Sequence, residues 1–150
     1  MDSIDIKLLR LLAQDAGATT SSLVPKLNLS VPAINKRIAK LKADGIIEQT
    51  TILINSQKVD KQITAFILVV LEHFKQSEQL MEIVKADPDI LECYAVTGDY
   101  DYILKICTTD IDTLENKLLK MKEQGIAKSQ TMFALRKHKF SATALPDYKK

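Results

Sequence analysis

Two groups of residues in this chain have the types and spacing that chemistry requires. The first is a basic run over residues 30–43, which contains no acid and four basic side chains: Lys36, Arg37, Lys40 and Lys42. The second is an acidic turn over residues 97–101, Thr97-Gly98-Asp99-Tyr100-Asp101. Basic side chains at helical spacing can contact phosphates and base edges, whereas carboxylates can hold an ammonium group.

The net charge of +2 conceals an uneven distribution. Residues 1–62 carry nine basic and six acidic residues, and residues 63–150 carry twelve and thirteen. Residues 72–115 alone hold eleven acids against three lysines. A basic helix on a nearly neutral chain indicates nucleic-acid binding by the first part. The alternative is a lysine-rich helix face that is only solvated.

The composition excludes several classes of protein. Hydrophobic residues make up 46% of the 150 residues and charged residues 27%, as in folded globular proteins. The longest apolar run, residues 65–71, is far shorter than the ~20 residues of a membrane span. Asp2 and Asp5 stand where a signal peptide would be basic, and two cysteines make no disulfide framework. We therefore expect a cytoplasmic protein with no membrane partner.

The first third of the chain predicts a helix-turn-helix. Asp2 can cap a first helix, and Thr19 or Thr20 a second over residues 21–27, in which Pro25 favours a bend or a late start. The apolar stripe of the first helix is Ile4, Leu8 and Leu11, widened by Leu9 and Leu12. After a tight turn, Ser30 caps a third, basic helix.

The third helix carries the candidate DNA-contacting residues. Its buried stripe is Ile34, Ile38 and Leu41, and Gly45 ends it. The outward residues, which could enter the major groove of double-stranded DNA, are then Ser30, Val31, Pro32, Asn35, Lys36, Arg37 and Lys40. Residues 46–54, rich in Ile and Thr, predict a strand.

The rest of the chain predicts a ferredoxin-like β-α-β-β-α-β domain, so the fold class is α+β. Strands are expected at 63–71, 90–96, 102–107 and 128–136, with helices at 77–86 and from Thr109 or Asp110 to Gly125. The first strand is apolar on both faces, but two helices cover only one. A second copy of the sheet is the simplest cover, which predicts a homodimer.

These elements divide the chain into four parts. We expect a helix-turn-helix DNA-binding domain at 1–50, a strand linker at 51–62, a ferredoxin-like oligomerisation domain at 63–137, to which the resemblance described below adds a sensing role, and a basic tail at 138–150. A hairpin at residues 99–100 is expected to bring Cys93 near Cys107, both as free, buried thiols.

The acidic turn has two interpretations. Gly98 leaves the backbone N–H groups open to a carboxylate, and Asp99 or Asp101 can accept hydrogen bonds from an ammonium group, so the turn suits an amino acid. Thr131 on the last strand is a weaker candidate for the same pocket. The alternative is an ordinary hairpin turn in which Asp101 caps local N–H groups.

Catalysis finds little support in the residues. Four glycines cannot build a phosphate-binding loop, and neither His73 nor His138 has a partner at metal-ligand spacing. No serine or cysteine has a base nearby in sequence. We predict no catalytic residue, no cofactor and no metal.

Four stretches together resemble the leucine-responsive/asparagine regulator (Lrp/AsnC) family of bacterial and archaeal transcription factors. They are residues 2–9 (DSIDIKLL), 29–38 (LSVPAINKRI), 41–47 (LKADGII) and 93–102 (CYAVTGDYDY). The resemblance implies a DNA-binding domain, a strand linker and a sensing domain, assembled as dimers and often octamers. It also implies effectors, usually amino acids, held between dimers at the acidic turn.

The chain departs from the family pattern in places, and two other functions stay open. Gly17-Ala18 stands where an arginine is common, Pro25 is unusual in the second helix, and Asp60 or a neighbour replaces a linker glycine. Some proteins resembling this family decarboxylate sirohaem, for which the only basic cluster here is Arg136, Lys137 and His138. A third interpretation is an interaction module that keeps the second domain and has lost DNA binding. The basic third helix makes this interpretation less favoured.

Overall fold

The computed structural model describes residues 1–147 and divides them into two compact units. The first comprises residues 1–53 together with the chain from Lys139, and the second comprises residues 54–138. The predicted basic tail, apart from its first residue His138, thus belongs to the first unit, where Arg10 Nη2 donates to the Pro146 carbonyl at 2.8 Å. Its last three residues, 148–150, lie outside the described part.

The first unit contains the three predicted helices. They are α1 (Ser3–Gln14), α2 (Thr20–Leu27) and α3 (Val31–Ala43), capped by Asp2, Thr19 and Ser30. The core of the unit draws on all three helices, because spacings of three and four put one apolar stripe of each inward. Its buried members are Leu8, Leu23, Leu27, Ile34 and Leu41.

Pro25 does not delay α2, so the expectation of a late start is wrong. The helix begins at Thr20 and continues through Pro25 to Leu27. Proline removes one backbone donor, and in an eight-residue helix the Thr19 cap and the buried Leu23 and Leu27 offset that loss. Asn28 then ends α2 in the left-handed conformation, with φ 54°, which makes the tight turn before α3.

The strand predicted at residues 46–54 is absent from the described structure, and so is a strand in the linker. The N–H groups of Ile46 and Ile47 turn back to the Leu41 carbonyl at 2.9 and 3.1 Å. The side chains at 52–54 are 65–79% exposed. A strand needs a neighbouring backbone to complete its ladder, and within residues 1–147 none pairs with this segment.

A short 3₁₀ helix (Ser56–Val59) occupies the linker instead. The Asn55 side chain caps it, and Asp60 closes it in the left-handed conformation with φ 59°. The family resemblance suggests a glycine at Asp60 or one of its neighbours. Glycine takes this left-handed conformation without steric cost, and aspartate is one of the residues that tolerate it.

The second unit has the predicted β-α-β-β-α-β order. Its elements are β1 (Ile63–Leu71), α4 (Ser77–Ala86), β2 (Ile90–Ala95), β3 (Tyr102–Thr108), α5 (Ile111–Lys122) and β4 (Ile126–Phe133). The sheet order is β2-β3-β1-β4, and all three pairings are antiparallel. This is the ferredoxin-like arrangement.

The last strand, β4, lies two to three residues earlier than the 128–136 predicted. Gly125, at φ 89°, turns the chain so that Ile126 immediately pairs with Leu71. At the other end Ala134 donates to the Thr64 carbonyl at 2.9 Å, where β1 itself begins. The length of β1 therefore sets the limits of β4.

The two faces of β1 are covered unequally. Ala65, Ile67 and Val69 have no exposed surface and belong to a core with residues of α4 and α5, namely Leu80, Leu114 and Met121. On the other side Phe66, Leu68 and Val70 are only half-buried, and Ile103 of β3 lies beside them opposite Leu68. We call this side the open face of the sheet. The helices cover one face only, as the sequence predicts.

The two cysteines are not cross-strand neighbours, so that expectation is wrong. Cys93 lies opposite Leu104 on the helix-covered side, whereas Cys107 lies opposite Thr64 on the other side. The ladder runs regularly from Ala95 opposite Tyr102 to Glu92 opposite Lys105, so the hairpin is centred between Gly98 and Asp99, one residue earlier than expected, and this puts Cys93 opposite Leu104. Both thiols are free, Cys107 buried and Cys93 half-buried, and burial raises the pKa of the Cys93 thiol.

A buried carboxylate ties several elements of the second unit together. Asp89, whose side chain is 8% exposed, accepts from Lys61 Nζ at 2.5 Å and from Thr108 Oγ1 at 2.9 Å, and Lys117 Nζ lies 3.2 Å away. Burial acts to raise the pKa of Asp89, but the hydrogen bonds from Lys61, Thr108 and Lys117 outweigh it and hold the pKa below its usual value.

We expect Asp89→Asn to lower the free energy of unfolding at pH 7 by about 1–3 kcal/mol, because Lys61 loses its anionic partner and Lys117 keeps only Asp87, 2.6 Å away. A lowered native pKa gives stability that is present at neutral pH and lost as the pH falls below about 4. The variant should therefore also flatten the acid dependence of urea unfolding followed by circular dichroism. The control is Asp112→Asn on exposed α5 surface. An unchanged acid dependence in Asp89→Asn would contradict the assignment.

Candidate functional sites

The outward side of α3 forms the first candidate site. Ile34 and Leu41 are buried and Ile38 is half-buried, as the stripe predicts, so the opposite side faces solvent. Its exposed members include five of the predicted DNA-contacting residues: Val31, Pro32, Asn35, Lys36 and Lys40. Among the described residues no carboxylate pairs with Lys36 or Lys40, so both ammonium groups are available to an anion.

Two further predicted residues of this surface make contacts within the unit. The Ser30 hydroxyl accepts from the Ala33 N–H at 3.4 Å and so acts as the cap of α3. Arg37 is half-buried, and its Nη1 lies 2.8 Å from Asp2 Oδ2 and 2.6 Å from Asp5 Oδ1 of α1. The Arg37 side chain is therefore directed towards α1. The sequence analysis expects it to point outward and does not predict this contact.

Asn35 is held by a residue that sequence reasoning missed. The Thr20 hydroxyl donates to Asn35 Oδ1 at 2.9 Å, across from α2. This contact orients the amide and leaves its NH₂ group free to donate outward. No local pattern reveals it, because residues 20 and 35 come together only when α2 packs on α3.

The acidic turn forms the second candidate site, and its backbone closes a hairpin. Val96 N–H donates to the Asp101 carbonyl, and Asp101 N–H donates to the Val69 carbonyl of β1, both at 2.9 Å. Gly98 has φ 113°, and a Cβ built there would meet no atom within 4 Å. The tip of the turn is thus open, and its backbone is accessible to a ligand.

Asp101 has a structural contact of its own. Its Oδ2 accepts from the Leu71 N–H at 2.8 Å, so the carboxylate extends the ladder between β1 and β3 beyond the end of β3. This is the local capping that the hairpin-turn interpretation predicts. The residue remains exposed, and its other oxygen has room for a second donor.

Tyr100 crosses from the turn to β4. Its hydroxyl donates to Gln130 Oε1 at 2.7 Å, and Lys128 Nζ lies 5.1 Å from the ring centroid. Lys128 and Gln130 pair with Val70 and Leu68, so they lie on the open face. The sequence shows that residues 128 and 130 lie on the same side of β4, because alternate residues of a strand share one side. Only the order of the strands in the sheet shows that Tyr100 contacts that side.

A cleft of 280 Å³ lies beside the turn. It is lined by Leu71, Ala95, Val96, Asp101 and Tyr102. Apolar walls and a single carboxylate suit a small ligand with an amino group and an aliphatic part. Leu71, Ala95, Val96 and Tyr102 are lining residues that sequence reasoning did not single out.

The structure gathers only part of the predicted effector set. Thr97, Gly98 and Asp99 are exposed at the tip of the turn, and Asp101 lines the cleft. Thr131 lies opposite Ile67, a core residue, so it is on the helix-covered side and not on the side reached by Tyr100. The sirohaem alternative gains no site from Arg136, Lys137 and His138, which follow β4 in exposed chain without regular structure.

Comparisons with known proteins match both parts of the chain. A family model described as winged helix-turn-helix DNA-binding matches residues 1–48, and one described as Lrp/AsnC ligand binding domain matches residues 64–144. The HTH-type transcriptional regulator FL11 of Pyrococcus furiosus is 33% identical over 147 residues, covering 97% of this chain and 96% of that protein. The glutamate uptake regulatory protein of Zymomonas mobilis is 37% identical over 124 residues, covering 79% and 76%.

Solved structures show the same fold along nearly the whole chain. The transcriptional regulator NMB0573 of Neisseria meningitidis, in complex with L-Met, superposes with a TM-score of 0.90 at 27% identity and covers 96% of each chain. The regulatory protein Rv3291c of M. tuberculosis, complexed with L-methionine, gives 0.89 at 25% identity, covering 97% of this chain and 99% of that one. None of the helices in residues 1–147 is long and apolar enough to cross a membrane.

A winged helix-turn-helix unit followed by a ferredoxin-like sensing unit defines a DNA-binding transcriptional regulator. The chain belongs to the Lrp/AsnC family of such regulators.

Proposed function

We propose that the protein binds operator DNA through the exposed side of α3, and that it acts as a regulator and not as an enzyme. The observation that carries this proposal is the acid-free outward side with Asn35, Lys36 and Lys40 on one helix. An asparagine amide can bond adenine in two places, and the lysines can hold phosphate or guanine. Ser30, Val31 and Pro32 lie at the start of the same helix, whose positive end favours a phosphate.

We propose that two copies associate through the open face. The supporting observation is a set of apolar side chains that stay half-buried on this face: Phe66, Leu68, Val70 and Ile103. The apolar surface continues over Met132 and Tyr94, which are 41% and 58% exposed. A two-fold dimer of sheets would bury them symmetrically. Larger assemblies, up to octamers, would use other surfaces.

A second copy would also give the exposed segment at residues 46–54 a partner. Isoleucine and threonine favour strands, but a strand forms only beside another backbone. The dimer would present two reading helices to a two-fold-symmetric site, roughly 34 Å apart if each enters successive turns of one groove.

We propose that the effector is a free amino acid bound at the acidic turn. Backbone N–H groups around Gly98 would take its carboxylate, Asp101 or Asp99 its ammonium group, and the cleft its side chain. The relatives solved with L-methionine support this class of ligand. Thr97 and Tyr100 flank the same backbone, and Thr131 is the weakest member because it lies on the other side of the sheet.

We expect Lys36→Gln with Lys40→Gln to weaken binding to all duplexes and to reduce the slope of log K against log salt by about 2, because two phosphate contacts are lost. Fluorescence anisotropy at several salt concentrations measures both. Lys120→Gln with Lys122→Gln removes the same charge from exposed α5 and should leave the slope unchanged. Wild-type affinity and slope in the α3 double variant would mean that α3 is not the reading helix.

For the effector site we expect calorimetry with the twenty amino acids to find a ligand whose Kd rises at least about tenfold in Asp101→Asn, because a charge-assisted hydrogen bond is lost. An asparagine oxygen can still accept from the Leu71 N–H, so this variant keeps the turn. Asp112→Asn is the matched control. An amino acid that binds wild type and Asp101→Asn equally well would overturn the site.

A further inference from the structure

Arg37 differs from its basic neighbours on α3 in what it contacts. Lys36 and Lys40 extend into solvent, whereas the Arg37 guanidinium meets two carboxylates of α1, from Asp2 at 2.8 Å and Asp5 at 2.6 Å. The side chain of Asp5 is 15% exposed and that of Arg37 is 28% exposed, so this ion pair is partly shielded from water. Such a pair contributes more than an exposed one.

The two aspartates are themselves fixed by the start of α1. Asp2 Oδ1 accepts from the Asp5 N–H at 2.8 Å, and Asp5 Oδ2 accepts from the Asp2 N–H at 2.9 Å. Each carboxylate therefore uses one oxygen to cap α1 and presents the other to Arg37. Arg37 thus bonds to a rigid capping box and not to two freely rotating side chains.

The electrostatics agree with this geometry. The hydrogen bonds that Arg37 donates to Asp2 and Asp5 raise the pKa of its guanidinium. The Asp5 backbone N–H first, and then Arg37, lower the pKa of the Asp2 carboxyl.

We propose that Arg37 is a positioning residue for DNA reading, which fixes the rotation of α3 against α1 and does not itself contact DNA. Apolar contacts through Ile34, Ile38 and Leu41 are non-directional and allow a helix to roll by small amounts. The guanidinium, bound to a fixed cap, sets one rotation and with it the direction of Asn35 and Lys36 on either side of the groove. The inference rests on the proposed reading function of α3.

The test uses the full-length protein and two duplexes of equal length and base composition. One is the duplex that wild type enriches most from a random library, and the other is its scrambled sequence. We expect Arg37→Gln to reduce the ratio of the two affinities at least about tenfold, spread over several base pairs, because the reading side chains are no longer held in one direction. Affinity for the scrambled duplex and its salt slope should stay at the wild-type values, since no phosphate contact is lost. Arg37→Lys, which keeps a cationic donor but not the planar guanidinium, should restore part of the ratio.

Three results with Arg37→Gln would overturn the inference. A salt slope reduced by about 1 in Arg37→Gln, as in Lys36→Gln, would mean that Arg37 holds a phosphate. A loss confined to one base pair would mean that it reads a base, and an unchanged ratio would mean that the clamp only stabilises the fold. If Arg37→Gln does not fold, Asp5→Asn removes one of the two carboxylate charges that Arg37 contacts, and it should lower the ratio without weakening scrambled-duplex binding; an unchanged ratio in this variant overturns the inference. If wild type enriches no duplex, the proposed DNA-reading function of α3 fails, and the positioning role of Arg37 fails with it. If wild type enriches a duplex but the ratio is unchanged in Arg37→Gln, only the positioning role fails.

Discussion

The structure depends on one imbalance: the central strand of the sheet is apolar on both faces, and the chain supplies helices for only one. Ile67 and Val69 are completely buried under α4 and α5, while Phe66 and Leu68 on the reverse side keep part of their surface in water. Apolar surface of this kind is stabilised by removal from water. A second copy of the same sheet is the cover that we propose, and the two-fold symmetry of the regulator would follow from it.

The same imbalance relates sensing to assembly. Tyr100 leaves the acidic turn and meets Lys128 and Gln130 on the open face, so the turn beside the cleft and the proposed dimer surface share side chains. A ligand that changes the conformation of the turn would also move side chains at the proposed dimer surface. It can shift the assembly only by its difference in affinity for the two states, and DNA binding would respond through the spacing of the reading helices.

The sequence predicts the starts of the helices and the faces that they bury, because capping residues and apolar periodicity determine these features. Asp2, Thr19 and Ser30 cap the three helices as expected, and the stripe of Ile34 and Leu41 correctly orients α3. What it could not predict depends on partners distant in the chain. Residues 46–54 have strand propensity but no ladder partner among the described residues. Cys93 and Cys107 lie on opposite sides of the sheet because the hairpin is centred one residue earlier than the sequence predicts. The ion pairs of Arg37 with Asp2 and Asp5 are not visible in the sequence, because these residues become neighbours only when α1 packs on α3.

The central claim, that the open face joins two copies, is tested most directly by sedimentation equilibrium of the full-length protein at micromolar concentration. The account predicts a mass of at least twice the 16.8 kDa chain for wild type. It predicts a loss of that association in Leu68→Lys, which puts a charge in the middle of the open face, with the circular dichroism spectrum unchanged. A wild-type protein that sediments as a monomer of 16.8 kDa would contradict it.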